Sequence, residues 1–367
     1  MSRLAAFVPL ACVVLAPSCA TMGSEGVGDL DLPSAGMGPF RKLAAEEVPG
    51  VAPFVLDDRN ANYREPAVLA EGRGALLYVV ATVNGVDVIV RSRALDGRAF
   101  FGTTTNVGNR PSVVLGADAA WEGGGVSGPS VMRRGSEIWL YYAAAGGIGL
   151  ARSTDGLTFQ KQSAPVLARD ASSAWETNEV HAPGVYALPD GRIRLLYAAG
   201  AAIGEAESAD GVHFTRLDPN AATREIEPVL GPSARPVAGA LAPNEKPPFD
   251  TATVGDPCVA PRFTPGGRYH VRVLYTGTDD AGVTTVGFAA RYGETGMLWR
   301  QRLPAYAVNL KERAPAYLEL ADEGVPKSLL YVAQEHSGLG EKYPAIAAAF
   351  APANLALPPP ADFPDGP

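Results

Sequence analysis

A unit that recurs in fixed order constrains a fold more than any single motif, and this chain contains one. From Trp121 the sequence reads WEGGGVSGPSV, then EIWLYY, then IGLARSTDGLTF. From Trp175 it reads WETNEVHAPGV, then RIRLLYAAG, then IGEAESADGVHF. Similar segments in the same order mark a repeat architecture. Five segments carry a proline in an equivalent place: Tyr63-Arg64-Glu65-Pro66, Val126-Ser127-Gly128-Pro129, Val180-His181-Ala182-Pro183, Val254-Gly255-Asp256-Pro257 and Glu312-Arg313-Ala314-Pro315. Successive prolines stand 63, 54, 74 and 58 residues apart, so five units fill residues 51–355. Three units also have an aromatic followed by an acid eight residues ahead of the proline: Trp121-Glu122, Trp175-Glu176 and Phe249-Asp250.

After each proline come two short runs rich in β-branched and aromatic residues, such as IWLYYAAA and IGLARS, bounded by Gly and Asp. These read as strands. Asp155-Gly156 and Asp210-Gly211 mark the turn after the second run, where Gly accepts positive φ. A last short strand recurs as Val114-Leu115, Pro165-Val166-Leu167 and Pro228-Val229-Leu230. Four strands in each of five units predict an all-β, five-bladed β-propeller of four-stranded antiparallel blades. One blade cannot bury both faces alone, whereas stacking around an axis buries them. The fifth unit lacks a clear final strand, and Pro53-Phe54-Val55-Leu56 matches the missing piece. That segment is expected to pair into the last blade and close the ring. Thr215 to Pro248 reads as an insertion between units three and four.

Hydrophobic residues make up 47% of the 367 residues and charged ones 19%, so a large core is available. The formal net charge is -8 without a basic stripe, which argues against nucleic-acid binding. Three Cys and four His lack zinc-site spacing, and no metal or other cofactor is expected. Residues 1–19 read MSRLAAFVPLACVVLAPSC: one basic residue, an apolar run too short for a confident span, then small residues. This is a secretory signal, and its end resembles a bacterial lipobox with Cys19 as the lipidated residue. Ala16 stands where that motif usually has Leu. A plain signal peptide with Cys19 incidental is the alternative. Lipidation would tether the protein to the membrane by its N-terminus. Ala20, in place of an Asp after the Cys, favours the outer membrane over the inner. Residues 20–50 read as a flexible tether and 356–367 as a Pro-rich tail.

The order aromatic-acid, xxP, LYY, IGxAxSxDGxxF and PVL resembles the five-bladed propellers of glycoside hydrolase families 43, 62, 32 and 68, over residues 51–355. Sialidase-type repeats are the rival, but they separate the Asp and Gly by one residue and imply six blades. The resemblance implies a central pocket with three carboxylates: a base or nucleophile from blade one, a stabilising Asp from blade two and an acid Glu from blade three. The match is partial. Glu65 precedes Pro66 where the family has Asp. Gly128 occupies the place of the stabilising Asp, with Ser127 before it. His181 stands where the family has Glu, and the nearest acid is Glu179. Blade four offers Asp256-Pro257.

The catalytic candidates are therefore Glu65, Glu179 and Asp256, since glycoside hydrolysis needs one carboxyl to donate a proton and another to activate water or attack. Each has a plainer reading. Glu65 can simply pair with Arg64 or Arg313, Asp256 can cap an inner strand, and Glu179 shares a strand face with the expected acid only by parity. Ligand-binding candidates are Arg64, Tyr63, Ser127, His181 and Arg313. Tyr63, Trp121 and Trp175 can stack on sugar rings or pack between blades. His181 can bind a hydroxyl or sit as a satisfied core histidine. Two functions remain open: a monomeric carbohydrate-active envelope protein that binds or hydrolyses an oligosaccharide or other glycoside, and a non-catalytic envelope scaffold.

Overall fold

A computed structural model describes residues 40–42, 54–72, 74–94, 97, 100, 111–223, 225–237, 246–260, 262–263, 269–301, 304–306, 311–322, 325–338 and 341–352. The signal sequence with Cys19 and the tail from 356 lie outside the described residues. So does the expected tether, apart from residues 40–42. No helix among the described residues is long and apolar enough to cross a membrane.

The chain forms five antiparallel sheets in sequence order. Strand β1 (Arg41–Lys42) stands apart from its sequence neighbours. Blade one is β2 (Arg64–Glu71), β3 (Gly74–Val83), β4 (Val86–Ala94) and β5 (Ser112–Leu115). Blade two is β6 (Ser127–Arg134), β7 (Glu137–Ala144), β8 (Gly147–Ser153) and β9 (Gln160–Lys161). Blade three is β10 (His181–Ala187), β11 (Ile193–Ala199), β12 (Ala202–Ser208) and β13 (Thr215–Arg216). Blade four is β14 (Thr253–Val259), β15 (Arg262–Phe263), β16 (Tyr269–Thr278), β17 (Thr284–Tyr292) and β18 (Trp299–Arg300). Blade five is β19 (Arg313–Asp322), β20 (Val325–Gly338) and β21 (Glu341–Pro352), with β1 as its outer strand.

Alternation along each strand sends side chains to both faces, and both faces are buried. In β3, Leu77 and Val79 join a core with Leu318 and Tyr331 of blade five. Leu76 and Tyr78 join another with Ile138 and Leu140 of blade two. Three further clusters fill the gaps between blades two and three, three and four, and four and five. Every blade is thus half of two cores, as a closed ring requires.

The ring closes as the sequence suggests, and by more than one contact. Leu56 bridges Ile346 of β21, and the Val55 N–H donates to the Ile346 carbonyl at 2.8 Å. Leu167, Leu230 and Tyr306 make the matching bridges to Ile148, Ile203 and Val286 in blades two to four. In addition, Arg41 and Lys42 pair with Phe350 and Ala349, so two residues of the expected tether are part of the fold. The expected insertion also begins later than its sequence suggests. Thr215–Arg216 pairs with β12, and Leu230 bridges Ile203.

The aromatic-acid pairs form a buried clasp in three blades. Trp121, Trp175 and Phe249 stack on Tyr142, Tyr197 and Tyr275 at 5.9, 5.8 and 6.1 Å between centroids. Each tyrosine hydroxyl donates to the acid beside its partner, at 2.7 Å to Glu122, 2.9 Å to Glu176 and 2.8 Å to Asp250. Each acid then pairs with a cation from the outermost strand: Lys161 at 2.8 Å, Arg216 at 2.6 Å and Arg300 at 2.6 Å. The clasp therefore ties the outer strand to the entry loop of its own blade. Gly149, Gly204 and Gly287 lie opposite the three tyrosines, where a Cβ would come within 2.4, 2.6 and 2.4 Å of the ring.

The SxDGxxF turn joins neighbouring blades. The Gly156 and Gly211 carbonyls accept from the Tyr78 and Tyr141 hydroxyls of the preceding blades, at 3.2 and 2.9 Å. Tyr331 of blade five does the same to Gly97 of blade one. In sequence, residues 96–100 read DGRAF, a third DGxxF match without the leading serine, of which Gly97 and Phe100 are among the described residues. Phe159, Phe214 and Phe100 meet those tyrosines edge-on at 6.0, 6.0 and 5.7 Å.

Gly204→Ala is expected to lower stability by about 1–3 kcal/mol through overpacking against Tyr197 and Trp175, read by urea denaturation. Burial alone would raise the Glu122 carboxyl, but Lys161, the Ala119 and Asp118 N–H groups and Tyr142 outweigh it and hold it down to about 2. The stability it contributes is present above the ordinary value of 4.5 and is lost as pH falls toward 2. Lys161→Met should cost about 3 kcal/mol at pH 7, because it leaves a buried charge without its cation. Denaturation at a series of pH values should show that cost shrinking as the medium is acidified.

Candidate functional site at the propeller axis

The five equivalent prolines and the residues before them meet at one place. Glu65-Pro66, Gly128-Pro129, Ala182-Pro183, Asp256-Pro257 and Ala314-Pro315 together line a single cavity of about 30 Å³ on the axis. That is room for one or two waters, not for a sugar ring. Each inner strand carries a bulge at this dipeptide: pairing with the second strand skips from Arg64 to Ala67, Ser127 to Ser130, His181 to Gly184, Gly255 to Cys258 and Arg313 to Ala316. The residue before each proline is left-handed, with φ of 52°, 51°, 45°, 48° and 49° in blade order. Four of the five are not glycine, a conformation that costs of order 1–3 kcal/mol each and concentrates at functional sites.

Two of these five positions bear carboxyls. Glu65 reaches to blade two, where its Oε2 accepts from the Gly128 N–H at 2.7 Å. Arg64 Nε lies 3.9 Å from Glu65 Oε1, while the Arg64 guanidinium is held by Asp87, Thr82 and the Asn62 carbonyl. The Glu65 side chain keeps 33% of its exposure, through the narrow cavity, yet is ringed by protein. That burial raises its carboxyl above the ordinary value, and the charge of Asp256 raises it further; Gly128, Arg64 and Arg313 act the other way. Asp256 Oδ2 accepts from Thr276 Oγ1 at 2.8 Å. Thr276 Oγ1 in turn accepts from the Ala314 N–H at 2.8 Å.

The remaining candidates divide between the rim and the interior. His181 is exposed at the start of β10, and its Nδ1 lies 3.1 Å from the Glu179 carbonyl. Glu179 is exposed two residues earlier and is not among the residues that line the axial cavity. Ser127 is partly buried beside Gly128, and Arg313 is exposed in blade five beside Ala314. Tyr63, by contrast, is 3% exposed within the core between blades one and five, so its ring is not offered to a ligand. Trp121 and Trp175 are committed to the clasps. Cys258 accepts from the Tyr317 N–H, and burial pushes its thiol up to about 12, which makes it a poor nucleophile.

Thr276 and the Gly128 and Ala314 N–H groups escaped the sequence reading. Backbone donors leave no trace in side-chain type. Thr276 sits in an apolar run, YHVRVLYTGT, whose register against Gly255 appears only in the folded blade.

No known family's sequence profile matches the chain. No curated protein matches it in sequence. Solved structures do match in fold. A glycosyl hydrolase from Bacteroides ovatus aligns over 88% of this chain and 96% of its own, at 14% identity and a TM-score of 0.56. A β-1,2-mannobiose phosphorylase from Listeria innocua, in complex with β-1,2-mannobiose, aligns over 86% and 97%, at 13% identity and a TM-score of 0.56. An α-L-arabinofuranosidase from Podospora anserina, in complex with cellotriose, aligns over 88% and 99%, at 9% identity and a TM-score of 0.55. At such identities the likeness establishes the five-bladed propeller and no more.

The folded protein holds the Glu65 proton to higher pH than the unfolded chain does. Stability therefore falls as pH rises from 4.5 through the raised value. Glu65→Gln removes that penalty while keeping an acceptor for Gly128. The variant should melt above the parent at pH 7 and level with it at pH 4, read by differential scanning calorimetry.

Proposed function

We propose that this protein is an envelope-anchored, carbohydrate-binding propeller whose ligand sits in the mouth of the axial funnel. The observation that carries this is the pairing of Glu65 and Asp256 on one cavity, one carboxyl able to keep its proton and the other an acceptor. Such a pair meets sugar hydroxyls as donor and as acceptor. The cavity itself has room only for water-sized molecules, so the sugar would rest on the ring of dipeptides, flanked by Arg313, His181 and Ser127. The three sugar-processing proteins that share the fold support the class of ligand.

The same pair supports slow hydrolysis. As the glycosidic C–O bond breaks, Glu65 would pass its proton to the leaving oxygen, and Asp256 would take one from the water that adds to the sugar carbon. Gly128 supplies no carboxylate to stabilise the charge that develops, so binding with weak turnover is the better-supported form. Membrane attachment rests on the Cys19 motif, and the alternative role is an envelope scaffold without a small ligand.

Isothermal titration of the purified protein with a panel of oligosaccharides, beside assays on aryl arabinosides, xylosides, galactosides and fructosides, tests the reading. Saturable binding that weakens at least tenfold in both Glu65→Gln and Asp256→Asn is expected. No binding by the parent to any sugar would favour the scaffold. Separately, Cys19→Ser should move the protein from the membrane fraction to the soluble one.

A further inference from the structure

Arg64 and Arg313 hold equivalent places, each two residues before the inner proline of its blade, and their surroundings differ. Arg64 stands opposite Val80, and its guanidinium is held by Thr82 and Asp87, which are partners across β3 and β4. Arg313 stands opposite Ala333. Glu335 therefore takes the place of Thr82, and Pro344, its partner in β21, takes the place of Asp87. Proline offers no carboxylate, and Glu335 is already engaged: Lys311 and Lys342 both reach its Oε1, at 3.2 and 3.4 Å. Arg313 is exposed, and its guanidinium makes no hydrogen bond or ion pair among the described residues.

The end of blade five where β19 begins thus carries three cations and one carboxylate, in a chain whose formal net charge is -8. Both lysine side chains are well exposed, at 57% and 65%. A guanidinium presents five donors in a planar fork that fits a carboxylate by two parallel bonds. The Arg313 charge also reaches Glu65 across the seam between blades five and one, so the cluster borders the axial carboxyls.

We infer that blade five holds an anion subsite beside the axis, made by Arg313 with Lys311 and Lys342, and that the ligand of this protein is an oligosaccharide bearing carboxylates. The inference rests on the carbohydrate reading above and narrows it. Glu65 and Asp256 would repel a carboxylate placed over the cavity itself. The acid group therefore points to blade five, while hydroxyls of the same sugar chain face the axis. Glu335 keeps the two lysines converged and cancels one of their charges.

The test is isothermal titration of the purified protein with trigalacturonate and with a glucuronate-substituted xylo-oligosaccharide, each beside the neutral sugar obtained by reducing its carboxylates. At least one acidic sugar should bind about tenfold tighter than its neutral counterpart. That preference should be present at about 0.01 M salt and gone at about 1 M, as the Debye length falls from ~30 to ~3 Å. Arg313→Gln should remove most of the preference, and Arg313→Lys, which keeps the charge, should retain part of it. Lys311→Gln and Lys342→Gln together should lower it, while Glu335→Gln, which releases both lysines, should raise it. Neutral sugars that bind as tightly as acidic ones would overturn the inference and leave the carbohydrate reading standing. A preference that survives Arg313→Gln, or that weakens in Glu335→Gln, overturns it as well. Binding of neither class by the parent overturns the carbohydrate reading, and the inference with it.

Discussion

Five strands converge on one axis, and each must finish its inner edge without leaving a backbone N–H unpaired. An exposed strand edge is a row of free donors and acceptors, and near an axis there is no room for another strand to cover it. Proline removes one donor from each edge. The left-handed residue before it turns the strand and opens a bulge. Two of the N–H groups that precede proline, those of Gly128 and Ala314, find side-chain acceptors in the preceding blade: Glu65 and Thr276. The constraint that narrows the axis thus also assembles the candidate site.

Stability and site chemistry are therefore separated in space. Toward the rim, buried acid-tyrosine-cation clasps and tyrosine-to-turn bonds join strands and blades. Their acids collect short donors: Glu122 from Lys161, Tyr142 and two N–H groups, and Asp250 from Tyr275 and Arg300 on one of its two oxygens. At the axis, Glu65 has one short donor, a water-sized cavity beside it and a neighbouring negative charge, and it keeps its proton more readily. A carboxyl's role in this fold follows from how many donors reach it, not from its residue type.

Much of the architecture was legible in the chain. The five prolines, the aromatic-acid pairs and the SxDGxxF turns recur because each blade repeats the same packing problem, and repetition is visible in one dimension. Pro53 to Leu56 could be matched to the missing strand for the same reason, whereas Arg41–Lys42 could not, since a two-residue strand carries no periodicity. The third DGxxF copy in blade one was present but lacked its serine. The aromatics Trp121 and Trp175 looked alike as sugar platforms or as packing. Their stacking on Tyr142 and Tyr197 settled the matter in favour of packing.

The sequence by itself determined the class of fold, the number of blades, the place where the ring closes and the five dipeptides that meet at the axis. These follow from local pattern: alternation, turn residues and a repeated proline. Only the tertiary structure decided that Glu65 and Asp256, 191 positions apart by their numbering, line one cavity, while Glu179 is exposed outside it and Tyr63 lies in the core. It also decided that Thr276 stands between Asp256 and Ala314. The physical reason is that hydrogen-bond partners and dielectric surroundings are set by which blades are neighbours around the ring, and a linear repeat does not record what its copies place opposite one another.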